Sequence, residues 1–141
     1  MSRIYWDTML FVYWFEDNPR YADRVEEIYR KMRQRQDKLL TSAFTLGEIL
    51  AGLSRGGKTG EASKIRQLFE SYEVELISFT GETAERYGQI RGTSHVSPAD
   101  AIHLASAAHA GVDLFLTNDR ELRDLVIPGI HFIAGMDVNL F

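Results

Sequence analysis

The chain has 141 residues, 45% of them hydrophobic and 26% charged, with a net charge of −4 and no cysteine. That size suits one domain with a proper core, read as residues 1–141, and the composition excludes disordered and fibrous classes. Disulfides and thiolate metal sites are excluded by the missing cysteines, and a membrane span by the lack of any long apolar run.

Strand and helix signals alternate along the chain. Arg3 to Trp6 reads as a buried strand and Leu10 to Phe15 as a short helix. Asn18-Pro19 predicts a helix start, with Asn as N-cap and Pro at the first position. Tyr21, Val25, Ile28 and Met32 then recur at helical spacing and define one apolar face. A second strand is expected over Lys38 to Ala43. Leu46, Ile49, Leu50 and Leu53 mark a helix that stops near Gly56-Gly57, and Ala62, Ile65, Phe69 and Tyr72 mark the next. Val74 to Phe79 reads as a third strand. Thr80 is placed to cap a helix carrying Ala84, Tyr87 and Ile90. Ser97 to Ala110 is apolar on nearly all sides, which predicts a buried helix ending at Gly111. Asp113 to Leu116 is a fourth strand, a short helix over 120–125 follows Asp119, and Ile130 to Ile133 is a fifth strand. Interleaved strands and helices predict a three-layer α/β/α sandwich with a mainly parallel central sheet.

The acidic balance works against nonspecific binding to nucleic acid. Seven of the 16 basic residues fall between Arg20 and Lys38, but Asp23, Glu26 and Glu27 share that stretch, so it reads as a solvated helix face.

Four acids stand where the chain turns from strand to helix or starts a helix. Asp7 ends the run Ile4-Tyr5-Trp6. Glu48 lies in Thr-Leu-Gly-Glu-Ile-Leu (45–50), Asp100 in Ser-Pro-Ala-Asp-Ala-Ile-His-Leu-Ala (97–105), and Asp119 in Phe-Leu-Thr-Asn-Asp-Arg-Glu-Leu (115–122). Each position has a plainer structural reading. Asp7 and Asp119 are good N-caps. Thr45 and Glu48 have the spacing of a capping box, and Ser97-Pro98-Ala99-Asp100 has Pro at N1 and an acid at N3. Four carboxylates brought together, however, cannot all stay ionised without a cation. A hard divalent ion prefers oxygen ligands, so the pattern points to metal-dependent chemistry on phosphate.

Gly52-Leu-Ser-Arg-Gly-Gly57-Lys58-Thr59 matches the P-loop string, but Gly52 falls inside an amphipathic run and Gly56-Gly57 reads as a break between helices. The string is therefore not a nucleotide-binding loop; Arg55 and Lys58 are left for an RNA approach or a partner. His95, His103, His109 and His131 lack metal-ligand spacing, and His103 reads as a packed, hydrogen-bonded side chain. Tyr5, Trp6, Tyr13, Trp14 and Phe15 read as core or as a partner surface.

The four acidic strings, in this order and spacing, resemble the PIN-domain ribonucleases, and within them the VapC-type toxins of toxin–antitoxin pairs. The resemblance runs from Asp7 to about His131. It implies that Asp7, Glu48, Asp100 and Asp119 are the catalytic residues and hold Mg²⁺ or Mn²⁺. Thr8, Thr117, Asn118 and Arg120 are then candidates for contacts to phosphate or RNA, with Arg3, Arg20 and Arg91 further candidates. Also implied are RNA cleavage leaving a 5′-phosphate and a 3′-hydroxyl, a homodimer, and an antitoxin that covers the site. Trp6 and Met9 depart from the commonest family pattern without removing a ligand. The start, Met-Ser-Arg-Ile-Tyr-Trp-Asp, has no signal-peptide pattern, which fits a cytoplasmic location. The alternative is a PIN-like binding module with little nuclease activity. A phospho-acceptor domain needs an acidic pair after the first strand, and a haloacid-dehalogenase-like phosphatase needs an acid at residue 9; Asp7 stands alone and residue 9 is Met.

Overall fold

The computed structural model describes residues 1–139. Its strands are Arg3–Trp6 (β1), Lys38–Ser42 (β2), Glu75–Ile77 (β3), Leu114–Leu116 (β4) and Phe132–Ala134 (β5). Its helices are Thr8–Phe15 (α1), Ala22–Arg35 (α2), Ala43–Arg55 (α3), Ala62–Ser71 (α4), Gly81–Thr93 (α5) and Pro98–Ala110 (α6). The sheet runs β3-β2-β1-β4-β5 and every pairing in it is parallel. The chain first builds outward from β1 to β2 and β3, then returns to place β4 on the other flank of β1. The order therefore reverses between β1 and β4. A crevice opens outside the carboxyl ends of strands at such a switch point, and ligands bind there in open α/β sheets.

Alternation along β1 divides the core into two layers. Ile4 and Trp6 face one side, packing with Leu10 and Phe11 of α1, Val25, Ile28 and Met32 of α2, and Ile65 and Phe69 of α4. Tyr5 faces the other, with Phe115 of β4 and Leu104, Ala105 and Ala108 of α6. Successive strand side chains point to opposite faces, so a near-continuous apolar strand is what a doubly covered sheet requires. Tyr5 and Phe115 stack with ring centroids 5.0 Å apart. Trp6, fully buried, packs against Phe11, Trp14 and Tyr29. Among the described residues its indole N–H has no partner, a cost of about 1–3 kcal/mol that apolar burial must offset.

Several boundaries differ from the sequence expectations, each for a local reason. Helix α3 starts at Ala43 because Ser42 ends β2 and caps the helix, its Oγ accepting from the Phe44 N–H at 2.8 Å. Asn18 caps a turn: its Oδ1 accepts from the N–H groups of Arg20 and Tyr21, and regular helix begins at Ala22. In α5 the inward residues are Thr83 and Ile90, while Ala84 is exposed, because Thr80 and Thr83 close a capping box. The helix expected over 120–125 is a single 3₁₀ turn, Arg120–Leu122, and β5 starts two residues and ends one residue later than expected. The basic stretch behaves as a solvated, paired face. Arg24 and Lys31 meet Glu27, Arg33 meets Glu73, and Arg35 meets Asp37. Gly52 sits within α3 and Gly57 follows its end, so no strand leads into the P-loop-like string.

Candidate active site at the switch point

Asp7 is the first residue after β1 and the N-cap of α1. Its N–H continues the ladder to Leu116 O of β4 at 3.0 Å, and its Oδ1 accepts from the Thr8 N–H at 2.8 Å. The N-terminal end of a helix carries partial positive charge, which favours an ionised carboxylate there. Thr117, the first residue after β4, is fully buried and donates its hydroxyl to Asp7 Oδ2 at 2.8 Å. The same Thr117 oxygen accepts the Asp119 N–H at 3.0 Å, and Asp119 Oδ1 accepts from the Glu121 N–H at 2.9 Å. Asp119 is thus a cap, as the plainer reading held, and a wall of the cleft as well.

Glu48 lies on α3 and is not part of a capping box. Thr45 stands in the first turn of that helix, fully buried, with its hydroxyl 2.7 Å from that of Thr41. Thr41 in turn donates to Trp6 O. The Glu48 side chain is instead held from across the fold: His103 Nε2 lies 2.8 Å from its Oε1, and Thr8 donates its hydroxyl to the same oxygen. Burial works against ionisation of Glu48, but the bonds from His103 and Thr8 outweigh it and hold the carboxyl below its usual range.

Asp100 sits in the first turn of α6, where Ser97 Oγ accepts its N–H at 3.1 Å. The capping motif therefore holds on the Ser97 side, while the carboxylate faces the cleft. Burial and then the negative charges of Asp7 and Asp119 push the Asp100 carboxyl up, against a hydrogen bond from Ser97. Asp100 on α6 thus feels the acids that follow β1 and β4.

Asp7, Thr8, Glu48, Asp100, Asn118 and Asp119 all line one cleft of about 290 Å³, together with Met9, Tyr13, Ala99 and His103. Four of these ten residues are acids and none is Lys or Arg. Thr117 lies beneath, buried against Asp7. Arg120 is exposed beside Asp119 and is not part of the lining. Arg3 is at the opposite end of β1, bonded to Ala110 O and paired with Glu75, so it cannot reach the cleft. Arg20 lies over the Tyr21 ring, and Arg91 is exposed on α5. Of the two departures from the family pattern, Trp6 points into the α1/α2 layer while Met9 shapes the cleft.

Two contributors escaped the sequence reading. Tyr13 lines the cleft and accepts a hydrogen bond from Asn118 Nδ2 at 3.1 Å. Its spacing of four from Met9 on α1, which puts both on one helical face, was the available signal. His103 was read as packed and hydrogen-bonded, which it is, but its partner is one of the four acids.

The donor set tests well against a hard cation: carboxylate and hydroxyl oxygens, mutual repulsion at Asp100, and no lining Lys or Arg to neutralise it. Among the described residues, no three His, Asp or Glu side chains are already gathered tightly enough to hold an ion as they stand.

A PIN-domain family model matches residues 4–127, and the chain belongs to the PIN-domain family. No curated protein sequence matches it. Among solved structures it is similar to VapBC2 from Rickettsia felis bound to a promoter DNA fragment, with TM-score 0.75 and 18% identity over 94% of this chain and 98% of that one. It is also similar to a toxin–antitoxin complex from Klebsiella pneumoniae, with TM-score 0.65 and 18% identity over 90% of this chain and 94% of that one. A third is FitAcB from Neisseria gonorrhoeae, with TM-score 0.60 and 20% identity over 82% of this chain and 87% of that one. At these identities the likeness speaks for the fold.

Proposed function

We propose that the chain is a single-domain, metal-dependent endoribonuclease and the toxin of a toxin–antitoxin pair. One observation carries the reading: Asp7, Glu48, Asp100 and Asp119, from four separate segments, line one cleft that holds no Lys or Arg. These acids would hold one or two Mg²⁺ or Mn²⁺ ions. Bound there, such an ion supplies an activated water and neutralises charge on a phosphodiester.

The chain's own residues do the rest. Thr117 fixes Asp7 from below and Thr8 steadies Glu48. Asn118, tied to Tyr13, forms part of the wall. Arg120, exposed beside Asp119, is available to a substrate phosphate. No protein nucleophile is called for.

A larger groove of about 850 Å³ adjoins the cleft and shares Thr8, Met9 and Glu48 with it. Its floor includes Val12, Phe15, Ile49 and Leu68, and Arg55 and Lys58 also line it. We assign it to the antitoxin segment that covers the site. The Klebsiella pneumoniae neighbour, described as a toxin–antitoxin complex, supports such a partner. A homodimer and a cytoplasmic location complete the proposal; none of the described helices is long and apolar enough to cross a membrane.

The carboxylates stand apart as they are, which favours a second reading, a PIN-like binding module with little nuclease activity. Cleavage of labelled RNA by the purified protein, with Mg²⁺ or Mn²⁺ and with EDTA, beside Asp7→Asn and Asp100→Asn, separates the two. Cutting that needs metal and disappears in both variants supports the nuclease. Asn variants that cut as well as the parent would refute the shared site, and a parent that binds RNA and metal without cutting would leave the binding module.

A further inference from the structure

His103 belongs to none of the four acidic positions, yet it meets three of the cleft's residues, Glu48, Thr8 and Asp7. It is 2% exposed. Its Nε2 lies 2.8 Å from Glu48 Oε1, 3.1 Å from Thr8 Oγ1 and 3.5 Å from Asp7 Oδ1. Its Nδ1 lies 2.7 Å from the hydroxyl of Tyr5 on β1. The ring is held sideways by Tyr5, edge-on at 5.9 Å, and by Phe44 at 5.4 Å.

Whether the ring carries one hydrogen or two, these contacts place one on Nε2. A neutral imidazole has one N–H and one acceptor nitrogen, and the partner of each nitrogen decides which is which. Were the hydrogen on Nδ1, the Nε2 lone pair would face a Glu48 oxygen at 2.8 Å. The one hydrogen of Thr8, which is spent on Glu48, could not relieve that clash. That hydrogen points at Glu48, and Nδ1 meets the Tyr5 hydroxyl.

We propose that Tyr5 and His103 are positioning residues for Glu48: the buried phenol holds the imidazole in place at Nδ1, and the Nε2–H holds the Glu48 carboxylate toward the cleft. The relay runs Tyr5 to His103 to Glu48 through three elements, β1, α6 and α3, which the fold brings together at the switch point. It aims a carboxylate before any ligand arrives. The groups that orient ligating carboxylates and imidazoles from behind contribute roughly 10–100-fold to metal affinity. The inference rests on the nuclease reading for its consequence, but the Nε2 hydrogen and the grip on Glu48 are properties of the protein by itself.

The test therefore has two parts. The first uses ¹⁵N shifts of the His103 ring and the ¹³C shift of the Glu48 carboxyl in metal-free protein. The parent should carry a hydrogen on Nε2. Tyr5→Phe should move the His103 ring signals, and the Glu48 carboxyl signal should move in both Tyr5→Phe and His103→Gln. The second part is Mn²⁺ affinity, with kcat and KM for RNA beside it. Tyr5→Phe should weaken Mn²⁺ about 10-fold and lower kcat more than it raises KM. His103→Gln, whose amide can still donate to Glu48, should stay within roughly threefold of the parent, while His103→Ala should not.

An Nδ1–H tautomer in the parent, or a Glu48 signal indifferent to both variants, would overturn the inference. So would Mn²⁺ affinity unchanged in Tyr5→Phe and His103→Ala. A protein that neither binds Mn²⁺ nor cuts RNA, yet shows the Nε2 hydrogen and the coupling, would sink the nuclease reading and uphold the positioning pair.

Discussion

Thr117 donates its buried hydroxyl to Asp7 Oδ2 at 2.8 Å, joining the first residues beyond two neighbouring parallel strands. The same oxygen accepts from the Asp119 N–H. One side chain thus braces two of the cleft's acids. Thr117→Val keeps the shape and removes both bonds. A hydrogen bond to a charged, buried group contributes about 1.5–3 kcal/mol, so the variant should lose about 2 kcal/mol of stability. At roughly 4 °C per kcal/mol for a chain of this size, calorimetry should show a fall of about 8 °C. Cleavage should fall with it, measured at a temperature where both proteins are folded. An unchanged melting temperature would show that the bond contributes nothing net.

The pH dependence of the metal-free protein follows from opposite shifts at two acids. Asp100 is pushed up by burial and by Asp7 and Asp119. The folded state therefore holds its proton more tightly than the unfolded chain, whose value is about 3.9. By linkage, stability falls as pH rises from that value through the raised one. Glu48, held low by His103 and Thr8 against its burial, acts in the other direction. Its contribution is present above the unfolded value of about 4.3 and is lost as pH falls below that through the lowered one. The Asp100 window thus runs upward from about 3.9 and the Glu48 window downward from about 4.3. Urea midpoints in EDTA should decline as pH is raised above about 4 in the parent, and that component should vanish in Asp100→Asn. A decline of equal size in the variant would assign it to other groups.

Much of this arrangement could be read from the sequence because the decisive signals were local. Asp7 and Asp119 each follow an apolar strand, and the sheet order puts both strand ends in one crevice. Pro98 and Ser97 marked the start of α6, and Gly111 its end, where it adopts the left-handed conformation such stops require. Glu48 was harder. Ser42 and Thr45 are both good caps, and the apolar spacing becomes visible only from Leu46. The choice was made by Thr45 bonding inward to Thr41, a contact that depends on β2 already being in place. His103 was beyond reach for the same reason. Its partners are 98 and 55 residues away in sequence, and a histidine within an apolar helix carries no mark of what lies opposite. The start of β5 differs because Ile130 is buried in the α6 layer and turns back onto Ile127.

Gly129 is where that turn closes on the fold. Its φ is +99°, and a Cβ there would stand 2.7 Å from Ala108 O and 2.9 Å from an Arg86 guanidinium nitrogen. The backbone conformation and the close approach both exclude a side chain. Strain of this kind costs about 1–3 kcal/mol, and the fixed carbonyl of α6 cannot move away. Gly129→Ala should therefore destabilise by about 2 kcal/mol or more while leaving metal-dependent cleavage by the folded fraction intact. Denaturant unfolding beside a cleavage assay checks it; a variant as stable as the parent would mean that the loop shifts freely.

Mn²⁺ should stabilise the protein, and the pattern across variants distinguishes a metal site from surface screening. The unliganded cleft sets Asp100 against two other negative charges, so Asp100→Asn should itself be neutral or stabilising without metal. Bound cation removes the same repulsion in the parent and adds its own binding energy. A ligand at about 100 times its Kd stabilises by about 2.7 kcal/mol, which at this size is a rise of roughly 10 °C. In Asp7→Asn, Asp100→Asn and Asp119→Asn that rise should shrink to a small fraction, whatever each variant does to the metal-free protein. Equal concentrations of Na⁺ or K⁺ at matched ionic strength should not reproduce it, because screening acts on all exposed charges alike. If Mn²⁺ raises the melting temperature equally in parent and variants, the acids are not its ligands, and the cleft repels charge for some purpose other than holding a cation.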